Sequence, residues 1–262
     1  MLNFINPLQQ INTSTNQQLK MYQAQVYVSP DNQTVAERFA EWMVNWVADQ
    51  KQEKINIALS GGSTPKVLFQ ILAAQYRDKM QWEKVHFFWG DERCVPPDHS
   101  DSNFKMTNDL LFKVIDFPAT QIHRVIGESD PTEAAADYIK VIKREVPIRE
   151  NWPIFDLIIL GMGSDGHTAS IFPHQMELLH SEKWCEVATH PESGQKRVTL
   201  TGKVINQARQ ICFLVTGDSK KEKVFEIFKE TGAFQSYPAY HIRPSNGQLS
   251  WNMDEAAVAL LK

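Results

Sequence analysis

Apolar and polar positions along this 262-residue chain follow two alternating rhythms. Residues 22–28 (YQAQVYV) alternate in steps of two, as a strand with one buried face does. The next segment repeats Val35, Phe39, Trp42, Met43, Trp46 and Val47 at helical spacing. Thr34 and Glu37 have the spacing of a capping box at the start of that helix. INIAL (55–59), a glycine turn and PKVLFQILAAQY (65–76) then read as strand, turn and helix, with Pro65 suited to the first helical position. The alternation recurs in VHFFW (85–89) before a helix around 102–115, and in IHRVI (122–126) before PTEAAADYIKVIKREV. It recurs again in FDLIIL (155–160) before a glycine-rich loop, and in ICFLV (211–215) before SKKEKVFEIFKE. Such alternation predicts an α/β fold with a largely parallel sheet and helices on both faces. Ligands of such sheets bind at the carboxyl ends of the strands, so the loops that follow strands are where function is expected.

The 42% share of hydrophobic residues is enough for a sizeable core, and no Pro/Gly/Ser-rich linker divides the chain. One domain is therefore expected over residues 22–262, preceded by a flexible extension, residues 1–21, to which no role is assigned. That extension lacks the basic and apolar regions of a signal peptide, and no run of 18 apolar residues exists to span a membrane. The charge balance, 27 basic against 31 acidic residues, provides no footprint for nucleic acid or an anionic membrane. Cys94, Cys185 and Cys212 are odd in number and widely spaced, which points to reduced thiols in a cytoplasmic protein rather than to disulfides. No metal is expected: there is no H-E-x-x-H or paired CxxC, and His86, His99 and His123 are scattered among different segments.

Four loops after strands carry polar chemistry. In SGGSTP (60–65), Gly61 and Gly62 let the backbone approach a ligand. Ser63 and Thr64 add hydroxyls, and the helix start adds unpaired N–H groups, which together make a phosphate cradle. It is not a Walker A loop, because the G-x-x-x-x-G-K-[ST] spacing is missing. In WGDERCVPPDHSDSN (89–103), Asp91, Glu92 and Arg93 are consecutive charges at a strand's end, where facing a cleft costs less than facing the core. GMGSDGHTASIFP (161–173) contains G-x-G-x-x-G, but an aspartate beside a pyrophosphate would repel it and Pro173 interrupts the helix that a dinucleotide turn requires. The glycines instead make a tight loop that presents Asp165 and His167, a base with a carboxylate to fix its tautomer. Ser170 is in no G-x-S-x-G elbow and reads as structural. In TGDSKKEKV (216–224), Lys220 lies near a helix start, where a cation is disfavoured by the dipole unless it meets an anion.

ALSGGSTPKVLF, FFWGDERCVPPDHSDSNF, FDLIILGMGSDGHTASIFP and RVTLT, followed by GDSKKE and LSWNMDEAA, together resemble the 6-phosphogluconolactonase family over about residues 25–262. The group also includes the glucosamine-6-phosphate deaminases. The resemblance implies a single-domain, Rossmann-like fold of the phosphosugar isomerase type. It also implies hydrolysis of a phosphosugar lactone by a monomer or small homo-oligomer without a cofactor. It places the catalytic histidine at His167, with Asp91 and Asp165 in support, and the phosphate contacts at Gly61, Gly62, Ser63, Thr64, Arg93 and Lys220. Glu92 and Arg197 are further candidates for substrate contact. Amino-sugar-phosphate deaminases of the group carry an acid shortly after the histidine, in a pattern like DGHIAFNEP, where this chain has Phe172. A non-catalytic phosphosugar sensor would usually carry a helix-turn-helix domain, for which the N-terminal extension is too short.

Overall fold

Strands β2 (Ile55–Leu59), β7 (Leu157–Leu160) and β10 (Gln210–Val215) are buried along their whole length in the computed structural model, which describes residues 24–261. Continuous apolar runs of this kind suit strands covered on both faces. With β1 (Ala24–Ser29), β3 (Val85–Trp89) and β11 (Gln248–Asp254) they form one sheet in the order β1-β11-β10-β7-β2-β3, parallel throughout. The extension expected over residues 1–21 and the first two residues of the predicted 22–28 strand lie outside the described residues. Strands β4 (Asp91–Arg93), β8 (Cys185–Thr189) and β9 (Lys196–Leu200) form a separate antiparallel sheet, and β5 (Ile148–Arg149) pairs with β6 (Trp152–Pro153).

Helices α1 (Asn32–Asp49) and α2 (Ser63–Gln75) cover one face of the large sheet, where Val35, Phe39, Met43, Leu68 and Phe69 pack on Ile57, Leu59 and Ile159. Three more helices cover the other face: α5 (Pro131–Glu145), α6 (Gly202–Ile205) and α7 (Lys221–Lys229). There Tyr138, Ile142, Val224 and Ile227 meet Phe155, Ile158 and Phe213, and Phe213 stacks on Trp251 at 4.0 Å between ring centroids. The segment expected as one helix around 102–115 is α3 (Asn103–Thr107), a π turn over 108–112, and α4 (Lys113–Ile115). Among the described residues no helix is long and apolar enough to cross a membrane.

Three local expectations are corrected. The cap of α1 is Asp31, whose Oδ1 accepts from Thr34 N at 2.7 Å and Thr34 Oγ1 at 2.8 Å, so Thr34 is inside the helix and receives the cap. Pro65 is the third residue of α2 rather than the first, because Gly62, at φ 115°, serves as N-cap. Residues 122–126 do not extend the sheet beyond a single bridge, Phe87 to Ile122, closed by His123 N donating to Phe87 O at 2.8 Å. The chain then crosses against the backbone of the 93–95 loop, so closely that a Cβ on Gly127 would lie 2.6 Å from Arg93 O. That crossing draws Arg124 to Ile126 away from β3.

Candidate active site

The loops after β2, β3, β7 and β10 meet at the carboxyl edge of the sheet around a cleft of about 310 Å³. Ser60 Oγ, donating to Ile159 O at 2.8 Å, anchors the first loop to β7. Gly61 is required by proximity: a Cβ there would lie 2.0 Å from Asn103 Oδ1. Gly62 needs its positive φ to turn the chain into α2, leaving the first N–H groups of that helix facing the cleft residues. Thr64 Oγ1 and Thr216 Oγ1, 2.7 Å apart, tie the loop after β2 to the loop after β10.

Strand β4 carries the acidic pair and the first arginine. Its register with β9 sets Asp91 opposite Thr199 and Arg93 opposite Arg197, so the two guanidinium groups arise side by side. Asp91 is buried and accepts from Ser170 Oγ at 2.6 Å, and the same hydroxyl lies 3.4 Å from Arg197 Nη1. Ser170 is thus a bridge between an acid and a cation, in keeping with a structural role. Arg93 Nη1 donates to Asp101 O. Its Nε and the Nε of Arg197 are buried and have no protein partner. Both residues line the cleft, but those two Nε atoms are shut off from it, so contact with a ligand falls to the Nη groups. Burial pulls the Arg197 pKa down from its ordinary value, opposed by the Asp91 carboxylate.

Glu92, a candidate for substrate contact, is placed elsewhere. It is buried beneath α3, where Oε1 accepts from Arg93 N and Asn103 N, both at 2.8 Å, and Oε2 from Phe104 N at 2.7 Å and Ser102 Oγ at 3.1 Å. With its acceptors directed at the start of a helix, it fixes the loop rather than the ligand. Burial still raises its pKa, despite those three N–H groups.

His167 is held by the glycine loop. Its Nδ1 lies 2.6 Å from Asp165 Oδ1, which also accepts from His167 N at 3.1 Å. A Cβ on Gly163 would fall 2.2 Å from His167 Nδ1, and Gly166, at φ 85°, packs against Tyr237. Burial by itself would raise the Asp165 carboxyl, but the hydrogen bond and charge of His167 outweigh it and hold the pKa at about 2. An ionised carboxylate can only accept, so Nδ1 is the donor in this contact, and in the neutral tautomer the lone pair belongs to Nε2. The ring rests on fully buried Phe172, 4.7 Å away between centroids.

Lys220 completes the rim. It immediately precedes α7, is half-buried, and makes no ion pair among the described residues; burial lowers its pKa, partly offset by Asp165. The cleft lining therefore contains Arg93, Arg197 and Lys220 against one carboxylate, Asp91, a balance suited to an anion. Gly61, Gly62, Ser63, Thr64, Asp91, Arg93, His167, Arg197 and Lys220 all line it, while Asp165 stands behind His167 and Glu92 behind β4. Asn103 and Thr216 also line it and were not anticipated; Asn103 ends the SDSN run that closes the second loop, and Thr216 follows directly after ICFLV. A larger groove, about 470 Å³, lies between α1 and the polar residues of β1 and β11, but it holds no histidine, and its Asp156 is paired with Arg209. Among the described residues, a carboxylate-paired histidine and three cations converge in the smaller cleft.

The chain matches the profile of the family described as glucosamine-6-phosphate isomerases/6-phosphogluconolactonase over residues 30–251. It belongs to that family. A 6-phosphogluconolactonase of Haemophilus influenzae is 42% identical over 90% of this chain and 99% of its own length. Another, from Treponema pallidum, is 43% identical over 75% of this chain and 81% of its own. The 6-phosphogluconolactonase of Trypanosoma brucei superposes with a TM-score of 0.84 at 29% identity, over 92% of this chain and all of that one. The resemblance carried by the motifs is borne out, as is the predominantly parallel α/β fold. A monomeric glucosamine-6-phosphate deaminase, 17% identical with a TM-score of 0.74, shares the fold.

Proposed function

We propose that this family member hydrolyses 6-phospho-D-glucono-1,5-lactone to 6-phospho-D-gluconate, the second step of the oxidative pentose phosphate pathway. The observation that carries this reading is the His167–Asp165 pair at the edge of a cleft lined by three cations. The curated lactonases to which the chain is similar set the chemical class as ester hydrolysis.

His167 Nε2 takes a proton from water as the oxygen attacks the lactone carbonyl, and Asp165 stabilises the imidazolium that forms. Collapse of the tetrahedral intermediate breaks the ring C–O bond, and the imidazolium returns its proton to the departing oxygen. A lactone is already electrophilic, so a base, a placed water and donors for the oxyanion are sufficient without a covalent nucleophile. The helix start at Gly61 to Thr64, with Arg93 and Lys220, holds the 6-phosphate, and Arg197, steadied by Asp91 through Ser170, faces the lactone end. Ring opening by a deaminase would need a proton carrier where fully buried Phe172 sits.

The test is proton release from freshly generated 6-phosphogluconolactone, corrected for spontaneous hydrolysis. Rates no greater than the spontaneous one would refute the proposal.

A further inference from the structure

The two histidines expected to be scattered, His86 and His123, meet near the amino end of β3, at the opposite end of that strand from the cleft. His86 Nδ1 and His123 Nε2 are 2.9 Å apart, in rings whose planes differ by 10° and whose centroids are 5.2 Å apart. The imidazoles are thus nearly coplanar and point nitrogen at nitrogen. Glu145, the last residue of α5, brings a carboxylate oxygen to the pair, and one donor atom from each of the three residues lies within 4.8 Å of the others. His123 is buried and stacked on Phe88 at 4.5 Å, whereas His86 is only partly covered, which leaves a route in from solvent.

We propose that His86, His123 and Glu145 form a binding site for a late first-row divalent cation of the zinc type, separate from the catalytic cleft. Two imidazoles and one carboxylate suit zinc, cobalt or nickel, while calcium and magnesium demand more oxygen ligands than are present. Zinc at about 2.0–2.1 Å from each nitrogen requires the pair to open from 2.9 Å to about 3.3 Å and the rings, now aimed at each other, to turn so that both nitrogens face the ion, a movement that falls mainly on the less buried His86. Glu145 accepts from Lys54 Nζ at 2.7 Å and Arg144 Nε at 2.6 Å. A carboxylate offers about four lone-pair sites, so both bonds survive coordination and orient the ligand.

The resting protonation states match. Burial pushes the His123 pKa down to about 4, and although burial opposes it, hydrogen bonds from Lys54 and Arg144 hold Glu145 at about 2. The ligands are therefore neutral imidazole and ionised carboxylate at neutral pH. The proton shared between Nδ1 and Nε2 moves to another nitrogen of its own ring, so binding releases almost none to solvent. A bound ion would brace β3, the 122–123 segment and the end of α5 along an open sheet edge.

The experiment uses the full chain, stripped with chelator and titrated with zinc chloride by calorimetry, with cobalt absorption as a reporter of coordination and thermal melting as a second readout. One equivalent is expected, with a dissociation constant on the order of 1–10 µM and a raised melting temperature. His86→Gln, at a partly exposed position, should weaken it by about 100-fold, and Glu145→Gln by about 10-fold. His167→Ala should bind zinc as wild type does. Absence of uptake, uptake unchanged in His86→Gln, or uptake lost in His167→Ala would each overturn the assignment.

Discussion

On the proposed reaction, replacing Lys220 with alanine should separate the hold on the phosphate from the chemistry. In the free protein its ammonium is half-buried with no carboxylate in ion-pair contact among the described residues, and burial already lowers its pKa. The charge is therefore incompletely compensated until an anion arrives. A charge-assisted hydrogen bond of this kind is worth about 1.5–3 kcal/mol, or roughly 10- to 150-fold in affinity. Because the 6-phosphate carries the same charge in ground and transition states, the loss should fall on KM and leave kcat within a few-fold. Unphosphorylated gluconolactone has no anion to hold, so its kinetics should change far less. The fold itself should not suffer, since the substitution removes an unpaired charge rather than a pair. Steady-state rates of wild type and Lys220→Ala on both lactones, with melting curves of each, are the assay. Equal loss on the two substrates, or a fall in kcat alone, would show that Lys220 serves the reaction centre and that the phosphate site is placed wrongly.

His167→Ala should lower kcat by about 10²- to 10⁴-fold while 6-phosphogluconate still binds, as calorimetry can check. Asp165 has its pKa at about 2 in the fold against an ordinary 3.8, so its pairing contributes stability that is present above about pH 4 and lost as the pH falls toward 2. The melting temperatures of wild type and Asp165→Asn should accordingly differ more at pH 7 than at pH 3, by a margin kept small by solvent screening; a pH-independent gap would contradict the linkage. Chelation with EDTA should leave kcat unchanged, because no step of the proposed reaction uses a metal, and activity restored only by a divalent ion would refute that. Glu92→Ala should reduce stability by roughly 2–4 kcal/mol in denaturant unfolding, since it orphans the N–H groups at the start of α3.

What could be read from the chain followed the range of each signal. Periodicity is local, so β2, β3, β7 and β10 and the loops after them stood out, as did the glycines that shape those loops. Strand β11 did not, although Leu249, Trp251 and Met253 alternate with Ser250 and Asn252, because four of its seven positions are polar and, among the described residues, no helix follows it. The antiparallel sheet of β4, β8 and β9 was hidden for another reason: three-residue β4 has no period to detect, and its register is set by pairing across a hundred residues. Charge triplets are equally ambiguous. Asp91, Glu92 and Arg93 look alike as cleft residues, and only the position of α3 decides that Glu92 turns inward to its N–H groups. The meeting of His86, His123 and Glu145 is tertiary throughout, with one residue on a strand, one on a loop and one at a helix end.

The place of β11 between β1 and β10 governs how the chain must come together as it is made. Ala24 pairs with Leu249, and among the described residues β1 has no other strand beside it. Among the described strands β1 leaves the ribosome first, yet it cannot be stitched in until β11 has followed. Until then β10 is an open edge with unpaired N–H and C=O groups and the apolar faces of Phe213 and Leu214 around it. Closing a loop of that length costs little in equilibrium stability, because the entropy grows only with the logarithm of its length, but it delays completion of the sheet. A ribosome that has released β10 while β11 is still inside its exit tunnel would display a partly folded chain with both β1 and β10 unsatisfied, the state in which this protein is most exposed to aggregation and most dependent on chaperones.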